Sequence, residues 1–396
     1  MYTIKGTSLA DTFKNVCQEI LTNGVDCVVN RDHVQDNGTI ELCPAYVEVT
    51  HPEWSIMLMD ERAGNPFAQI FETLWVYSGQ SSVETLKFFI PRAPNYADNE
   101  THWRGAYGPR LRDANGTAQK LNTEPAGSHS CDQIKYIINT LTKDPSSRRA
   151  IMTIWDPVKE DTARSQVLRE MGKEAGDSKD YPCNIALQFL IRDGKLKLIV
   201  KMRSNDALYG FSGINVFEWT WLQCMIAGKL GVEVGSYHHE ASSLHVYKNV
   251  VDKVTKCAGA RALQTAHPSW LNLISKEEAW NSLDKVLYKK VCEKVKGFTL
   301  SADNCQEYLE NWSRYQLEDE PTVYLALYCL WKHDRNKFAD MYINVISHLK
   351  NTDMKLGAVH FFNRNTKGVN GEIQYLLVKG VDNCGKEVVG KIQNPE

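Results

Sequence analysis

YPCNIALQFLIRDGKLKLIVKMRSND, residues 181–206, carries two runs rich in Ile, Leu and Val on either side of Asp193-Gly194. That dipeptide is favoured in two-residue hairpin turns, so the spacing predicts a β-hairpin over 184–206. Downstream, NVFEWTWLQCMIAGKLG (215–231) is strongly apolar and predicts a buried helix. YHHEASSLHVYKN (237–249) then reads as a strand passing into a turn. Upstream, SRRAIMTIWDP (147–157) is a strand candidate opened by two arginines, and the charged stretch 158–180 reads as a solvated helix or an inserted loop. Residues 92–130, rich in Pro, Asn, Gly and Arg, are expected to be mostly loop, closing on YGPRLRD.

Nearer the start, PFAQIFETLWVYSGQ (66–80) predicts a buried helix begun near a proline and ended by Ser78-Gly79. Strand-like pieces fall at VDCVVN and YVEVT within 25–60. In 8–23, Leu9, Phe13, Val16, Ile20 and Leu21 recur at helical spacing between a Ser8 cap and a Gly24 stop. Beyond 276 the pattern is helical to about 350, and the last 40 or so residues alternate as short strands or loop. The periodicity changes near 260–275, where His267-Pro268 breaks the chain, which divides it into residues 1–260 and a mainly helical 261–396. The class expected is α+β, a mixed sheet packed with helices.

Composition bounds the function. The chain of 396 residues can bury a full core as one large domain or two ordinary ones. A net charge of −2 leaves no electrostatic footprint for duplex nucleic acid or an anionic membrane, though a small anion needs only a local arginine cluster. The 11 cysteines have no CxxC spacing, which argues against a zinc ribbon and for reduced thiols in a cytosol. Asp11, Lys14 and Glu19 interrupt the first 24 residues, so they do not read as a signal peptide, and no apolar run is long enough for a membrane span.

Four short motifs follow in order: Arg148-Arg149, Pro182-Cys183, Arg203-Ser204-Asn205-Asp206 and His245-Val246-Tyr247. Alone, each has a bland reading as solvated surface, structural thiol or strand face. Together they describe one chemistry. Arginine forks suit a phosphate, and guanidiniums beside a thiol favour the thiolate that a nucleophilic cysteine needs. Ser204, His245 and Tyr247 add donors for phosphate and sugar.

With FETLWVYSG (71–79), AYGPRLR (106–112), YPCNIALQF (181–189) and KMRSNDALYGFSGINVFEWTWLQCMIA (201–227), this ordered set resembles the thymidylate synthase family over roughly residues 65–255. The resemblance implies that family's mixed-sheet fold, with an extra helical region after it. It implies Cys183 as the nucleophile at C6 of a pyrimidine, Glu72 as the glutamate that relays protons, and Tyr107 as the tyrosine near the thiol. Arg203 and Ser204 would hold the 5′-phosphate, with a further N-terminal arginine such as Arg31. Arg148 and Arg149 would reach the neighbouring subunit's site, which implies a homodimer with shared active sites. Asp206 would contact folate and pyrimidine, and His245 and Tyr247 the deoxyribose. The implied co-substrate is 5,10-methylenetetrahydrofolate, with dUMP and no metal. Asn215 would read uracil, since one amide both accepts from N3–H and donates to O4; relatives acting on cytosine carry an aspartate. The match needs one extra residue within LYGFSGIN, and Asn215 also reads as a cap for the helix that follows.

The chain departs from synthases in instructive places. Asn184 follows Cys183 where synthases have His, and Met202 stands where they have Gln. No tryptophan in FFIPRAPNYADNETHW takes the place of the family's indole; Trp103 sits too near AYGPRLR. No apolar tail matches in GKIQNPE. Both missing parts exclude water in a synthase, so their loss points toward water capture and a 5-hydroxymethyl product, as in phage members acting on dUMP. The alternatives are a divergent enzyme making thymidylate, a dCMP or CMP hydroxymethylase, and an inactive member kept for binding.

Overall fold

The hairpin and the helix after it form as their sequences dictate. In the computed structural model, Asp193 and Gly194 take positive φ of 53° and 73° between β6 (Asn184–Arg192) and β7 (Lys195–Met202). Paired positive φ values suit the right-handed twist of the strands they join. The described residues are 1–27, 38–114, 130–161, 178–269, 283–315, 320–350 and 352–366, with two strands at 378–381 and 387–390.

Strands β1 (Tyr2–Gly6), β2 (Val25–Cys27), β3 (Thr39–Leu42), β4 (Ala45–Val49) and β5 (Ile151–Thr153) precede the hairpin. β8 (Asn205–Asp206), β9 (Glu233–Ala241) and β10 (Leu244–Tyr247) follow it. The main six-stranded sheet runs β1-β4-β9-β7-β6-β5, mixed parallel and antiparallel, and a smaller sheet runs β2-β3-β10-β8. Residues 237–249 are therefore not one strand ending in a turn. β9 belongs to the main sheet and β10 to the smaller one, joined at Ser242-Ser243.

The helices are α1 (Leu9–Asn23), α2 (Pro66–Tyr77), α3 (Tyr107–Arg112), α4 (Gln133–Lys143), α5 (Val216–Leu230) and α6 (Val251–Gly259), besides one-turn pieces. α1 starts at Ser8, whose hydroxyl accepts from Asp11 N at 3.2 Å, and α2 starts at Asn65, whose side chain accepts from Phe67 and Ala68. The expected loop closing on YGPRLRD instead forms α3. Gly108 makes this possible, because a Cβ there would lie 2.9 Å from the Val76 carbonyl oxygen on α2. α5 is buried nearly all round, as its composition demands. Its Gln223 amide donates to Leu196 O at 2.8 Å and Gly235 O at 2.9 Å, bridging β7 and β9 where their register shifts.

Beyond 283 come α7 (Lys285–Leu300), α8 (Ala302–Tyr315), α9 (Glu320–His333), α10 (Arg335–His348) and α11 (Asp353–Asn365). α7, α9 and α11 pack on α2: Tyr77 meets Tyr288 edge-on at 5.6 Å, and Phe67 stacks on Tyr328 at 4.9 Å. Arg112, buried, donates to Tyr77 O at 2.7 Å and Leu283 O at 2.8 Å, tying α2 and α3 to the chain that enters α7. The buried apolar side chains make one continuous cluster from Ile4 to Phe362. β12 (Val378–Val381) pairs with β13 (Glu387–Gly390) and with β11 (Gln264–Thr265).

Candidate active site

Cys183 ends a segment that is pinned from below. The half-buried Asp180 carboxylate accepts from the backbone N–H groups of Arg104 and of Gly105, the latter at 3.1 Å. The Arg104 guanidinium donates to Asp180 O at 2.7 Å and to Glu160 at 2.8 Å, and Arg110 shares that Glu160. Burial pushes Asp180 up to about 6, against the pull of the backbone N–H groups and Arg104. Arg203 then closes over the thiol. Its backbone N–H donates to Cys183 O at 2.9 Å and its Nε to Pro182 O at 2.9 Å. Its Nη2 lies 3.2 Å from Tyr181 O and 3.8 Å from Cys183 Sγ. A guanidinium at that range suits a thiol that must react as its anion.

Behind Cys183 lies a carboxyl-rich interior. Tyr107 stacks on Trp219 at 5.7 Å, and its hydroxyl accepts from the backbone N–H of Asn184. Burial pushes this phenol well above its usual range, and the neighbouring Cys183, Glu218 and Glu72 add to that. Glu72, on α2, keeps part of its surface open, yet its carboxyl is deep enough for burial to raise it to about 8. Glu218, on the first turn of α5, is 1% exposed, and burial and then Glu72 push it well up. Among the described residues, Glu218 Oε1, both amide atoms of Asn184 and Thr73 Oγ1 are buried without a hydrogen-bond partner. Buried polar atoms are normally paired, so such a group is a feature to be explained.

The residues expected to meet base and sugar lie on and beside a π-helix, Ala207–Asn215. It explains the extra residue in the family match, because i→i+5 pairing absorbs an inserted residue without breaking the helix. It also overturns the capping role for Asn215. α5 continues the π-helix, Asn215 has helical φ and ψ of −65° and −43°, and its side chain makes no cap bond. Its Oδ1 instead accepts from Asn205 Nδ2 at 2.7 Å. Asp206 caps the π-helix, with Oδ1 accepting from Tyr209 N at 2.6 Å, while its Oδ2 is buried without a hydrogen-bond partner among the described residues. Asp206 pairs with His245 in the β8–β10 ladder, and Tyr247 meets His245 edge-on at 5.4 Å. Ser204 is half-buried between Arg203 and Asn205.

Sequence reading missed two braces of this turn. Arg62, buried, donates to Ser212 Oγ at 2.8 Å and Leu208 O at 2.6 Å, and Gln69 donates to Gly213 O at 2.5 Å. It also missed Glu218, whose only signal was a charge inside an apolar run.

Arg148 and Arg149 are not gathered into this group. Both are exposed beside the edge strand β5, where their carbonyls accept from Gln188 and Tyr136. Arg31 lies outside the described residues, as do 162–177 and 391–396. Trp103 is spent on packing: its Nε1 donates to Ala93 O at 2.8 Å and its ring meets Trp75 edge-on. Trp155 stacks on Tyr181 at 6.3 Å, with the Arg203 guanidinium 5.9 Å from its ring.

The thymidylate synthase family model matches residues 11–291, a span that holds Cys183, Arg203, Glu72, Tyr107 and Asn215, and the chain belongs to that family. It is 31% identical over 244 residues to a deoxyuridylate hydroxymethyltransferase of Delftia phage PhiW-14, covering 61% of this chain and 62% of that one. A protein of the same name from Bacillus phage SP01 is 29% identical over 248 residues, covering 62% and 59%. The thymidylate synthase of Bacillus mojavensis is 31% identical over 205 residues, covering 51% and 64%. The chain thus spans somewhat less than two thirds of the length of each of these relatives.

Proposed function

We propose that the protein transfers a one-carbon unit from 5,10-methylenetetrahydrofolate to C5 of dUMP and lets water take the place that hydride takes in thymidylate synthesis, giving 5-hydroxymethyl-dUMP. The observation that carries this reading is Asn184, fully buried beside the nucleophile with both amide atoms unpartnered among the described residues. Synthases have His at this position; a fully buried amide with an unused donor and acceptor offers a place for an ordered water beside the thiol. The phage relatives named as deoxyuridylate hydroxymethyltransferases support the same reading.

The residues divide the work. Arg203 and Ser204 hold the 5′-phosphate, and Arg203 stabilises the Cys183 thiolate that adds to C6. Asn215 reads N3–H and O4, while His245 and Tyr247 orient the sugar. Glu72, held protonated at neutral pH, gives a proton toward O4 as charge builds there. The unpartnered Asp206 Oδ2 fits a contact to folate, which when bound supplies the carbon unit. Arg148 and Arg149, exposed at the edge of β5, complete the phosphate site of a second copy in a homodimer.

Product analysis after incubation with dUMP and methylenetetrahydrofolate tests the proposal. Expected are 5-hydroxymethyl-dUMP and tetrahydrofolate, with no absorbance rise from dihydrofolate and with oxygen from labelled water in the product. Thymidylate and dihydrofolate in equal amounts would refute it.

A further inference from the structure

Resting on water capture as the outcome, we infer that Glu218 is the residue that orders the capturing water, together with Asn184, and takes its proton. A carboxyl on the first turn of a helix in a main-sheet core is costly unless something binds it. Glu218 is 1% exposed and its Oε1 has no hydrogen-bond partner among the described residues. Its backbone is fixed rather than adaptable, because the Tyr77 hydroxyl donates to its carbonyl. The next residue, Trp219, stacks on Tyr107, and Tyr107 accepts from the backbone N–H of Asn184, the residue after the nucleophile. The Tyr107 phenol thus has the Asn184 backbone N–H on it and lies within electrostatic range of Glu218, Cys183 and Glu72. Asn184 is the independent sign of a ligand here: fully buried, it leaves a donor and an acceptor unused. A water between an amide and a carboxyl oxygen satisfies all three, and such buried waters make about three hydrogen bonds.

The step balances without a net charge. After loss of tetrahydrofolate, the nucleotide carries an exocyclic methylene at C5 and the Cys183 thioether at C6. The water oxygen bonds to the methylene carbon, and the π pair moves through C5 and C4 to O4. The water proton passes to Glu218 Oε1 as the carboxyl releases its own proton toward Glu72, which delivers one to O4. When O4 gives its proton back through Glu72, which passes one on to the sulfur, C4=O and the C5–C6 double bond re-form, the C6–S bond breaks and Cys183 leaves as the thiol.

Glu218→Gln tests this, because the amide keeps the shape and can still touch water but cannot relay its proton. With dUMP tritiated at C5, the variant should release about one tritium per site in a burst, since that proton leaves before water enters. Formation of 5-hydroxymethyl-dUMP should fall by about 10²–10³-fold, the range of a lost general acid–base group. Covalent trapping of Cys183 by 5-fluoro-dUMP and folate should persist, which shows that the variant is folded and competent for the earlier steps. Tritium release and product falling together, or product formation near that of the parent, would overturn the assignment. A parent enzyme that makes thymidylate would instead sink the water-capture reading itself, whatever the variant does.

Discussion

Glu72→Gln should make the protein more stable and nearly inactive. Burial raises Glu72 from 4.5 to about 8. The ionised carboxylate is therefore resisted in the native state and welcomed in the unfolded one. Below 4.5 both states are protonated and the group costs nothing. As pH climbs toward 8 the unfolded chain releases its proton first, and native stability is lost at roughly 1.4 kcal/mol per pH unit, about 3 kcal/mol by pH 7. Solvent reaching the open part of the residue makes this an upper figure. Glutamine is neutral at every pH and escapes the loss. Urea unfolding should give parent and variant similar midpoints near pH 4.5 and a growing advantage to the variant up to pH 8. Turnover should fall by about 10²–10⁴-fold, as expected for a proton donor removed. An advantage that does not change with pH, or no advantage at pH 8, would refute a buried, proton-holding Glu72.

Cys183→Ser should abolish turnover while nucleotide still binds, because a hydroxyl is too weak an acid to add at C6; substantial residual activity would exclude Cys183 as the nucleophile. Arg149→Ala and Cys183→Ser, each inactive alone, should regain activity when subunits are exchanged, since one site of the mixed dimer is then intact. Absence of rescue despite proven exchange would remove the shared site. Asn215→Asp should favour dCMP over dUMP, with a swing of up to about 10⁴-fold in relative kcat/KM, because a carboxylate cannot donate to O4. Asn205 can still donate to that side chain, so the fold should survive.

What was legible in the sequence was local or ordered along it. The hairpin announced itself through Asp193-Gly194 and the buried helix through its unbroken apolar run. The Cys183–Arg203 contact followed from motifs whose order alone was informative, and the structure places them 3.8 Å apart. What stayed hidden depends on long-range packing. Glu218 in FEWTW looks like one charge on a helix face, and its burial follows only from the way α2 and α3 close over α5. Arg62 lies in an unremarkable stretch, and nothing nearby says that it will brace residues 150 and 146 positions away. The π-helix has no composition of its own; its only trace was an extra residue in the match.

The helices beyond 283 bear on the chemistry through α2. That helix presents Gln69 to the π-helix and Glu72 toward Glu218, while Phe67 and Tyr77 are covered by Tyr328, Phe362 and Tyr288 from α9, α11 and α7. Fully burying one such aromatic is worth about 1.5–3 kcal/mol, and a whole domain holds only about 5–15 kcal/mol. A chain cut after residue 283 would bare Phe67 and Tyr77 at once and leave Arg112 without the packing of Tyr288, which lies 5.8 Å from its guanidinium. Such a truncation is expected to be insoluble or molten, with no trapping of Cys183 by 5-fluoro-dUMP. If the shortened protein instead unfolds cooperatively and still traps the nucleotide, the division near 260 marks an independent catalytic unit and the added helices are an accessory. The continuous core from Ile4 to Phe362 argues the other way: the added helices pack on α2, the helix that carries Glu72, and so bear on the burial that raises its pKa.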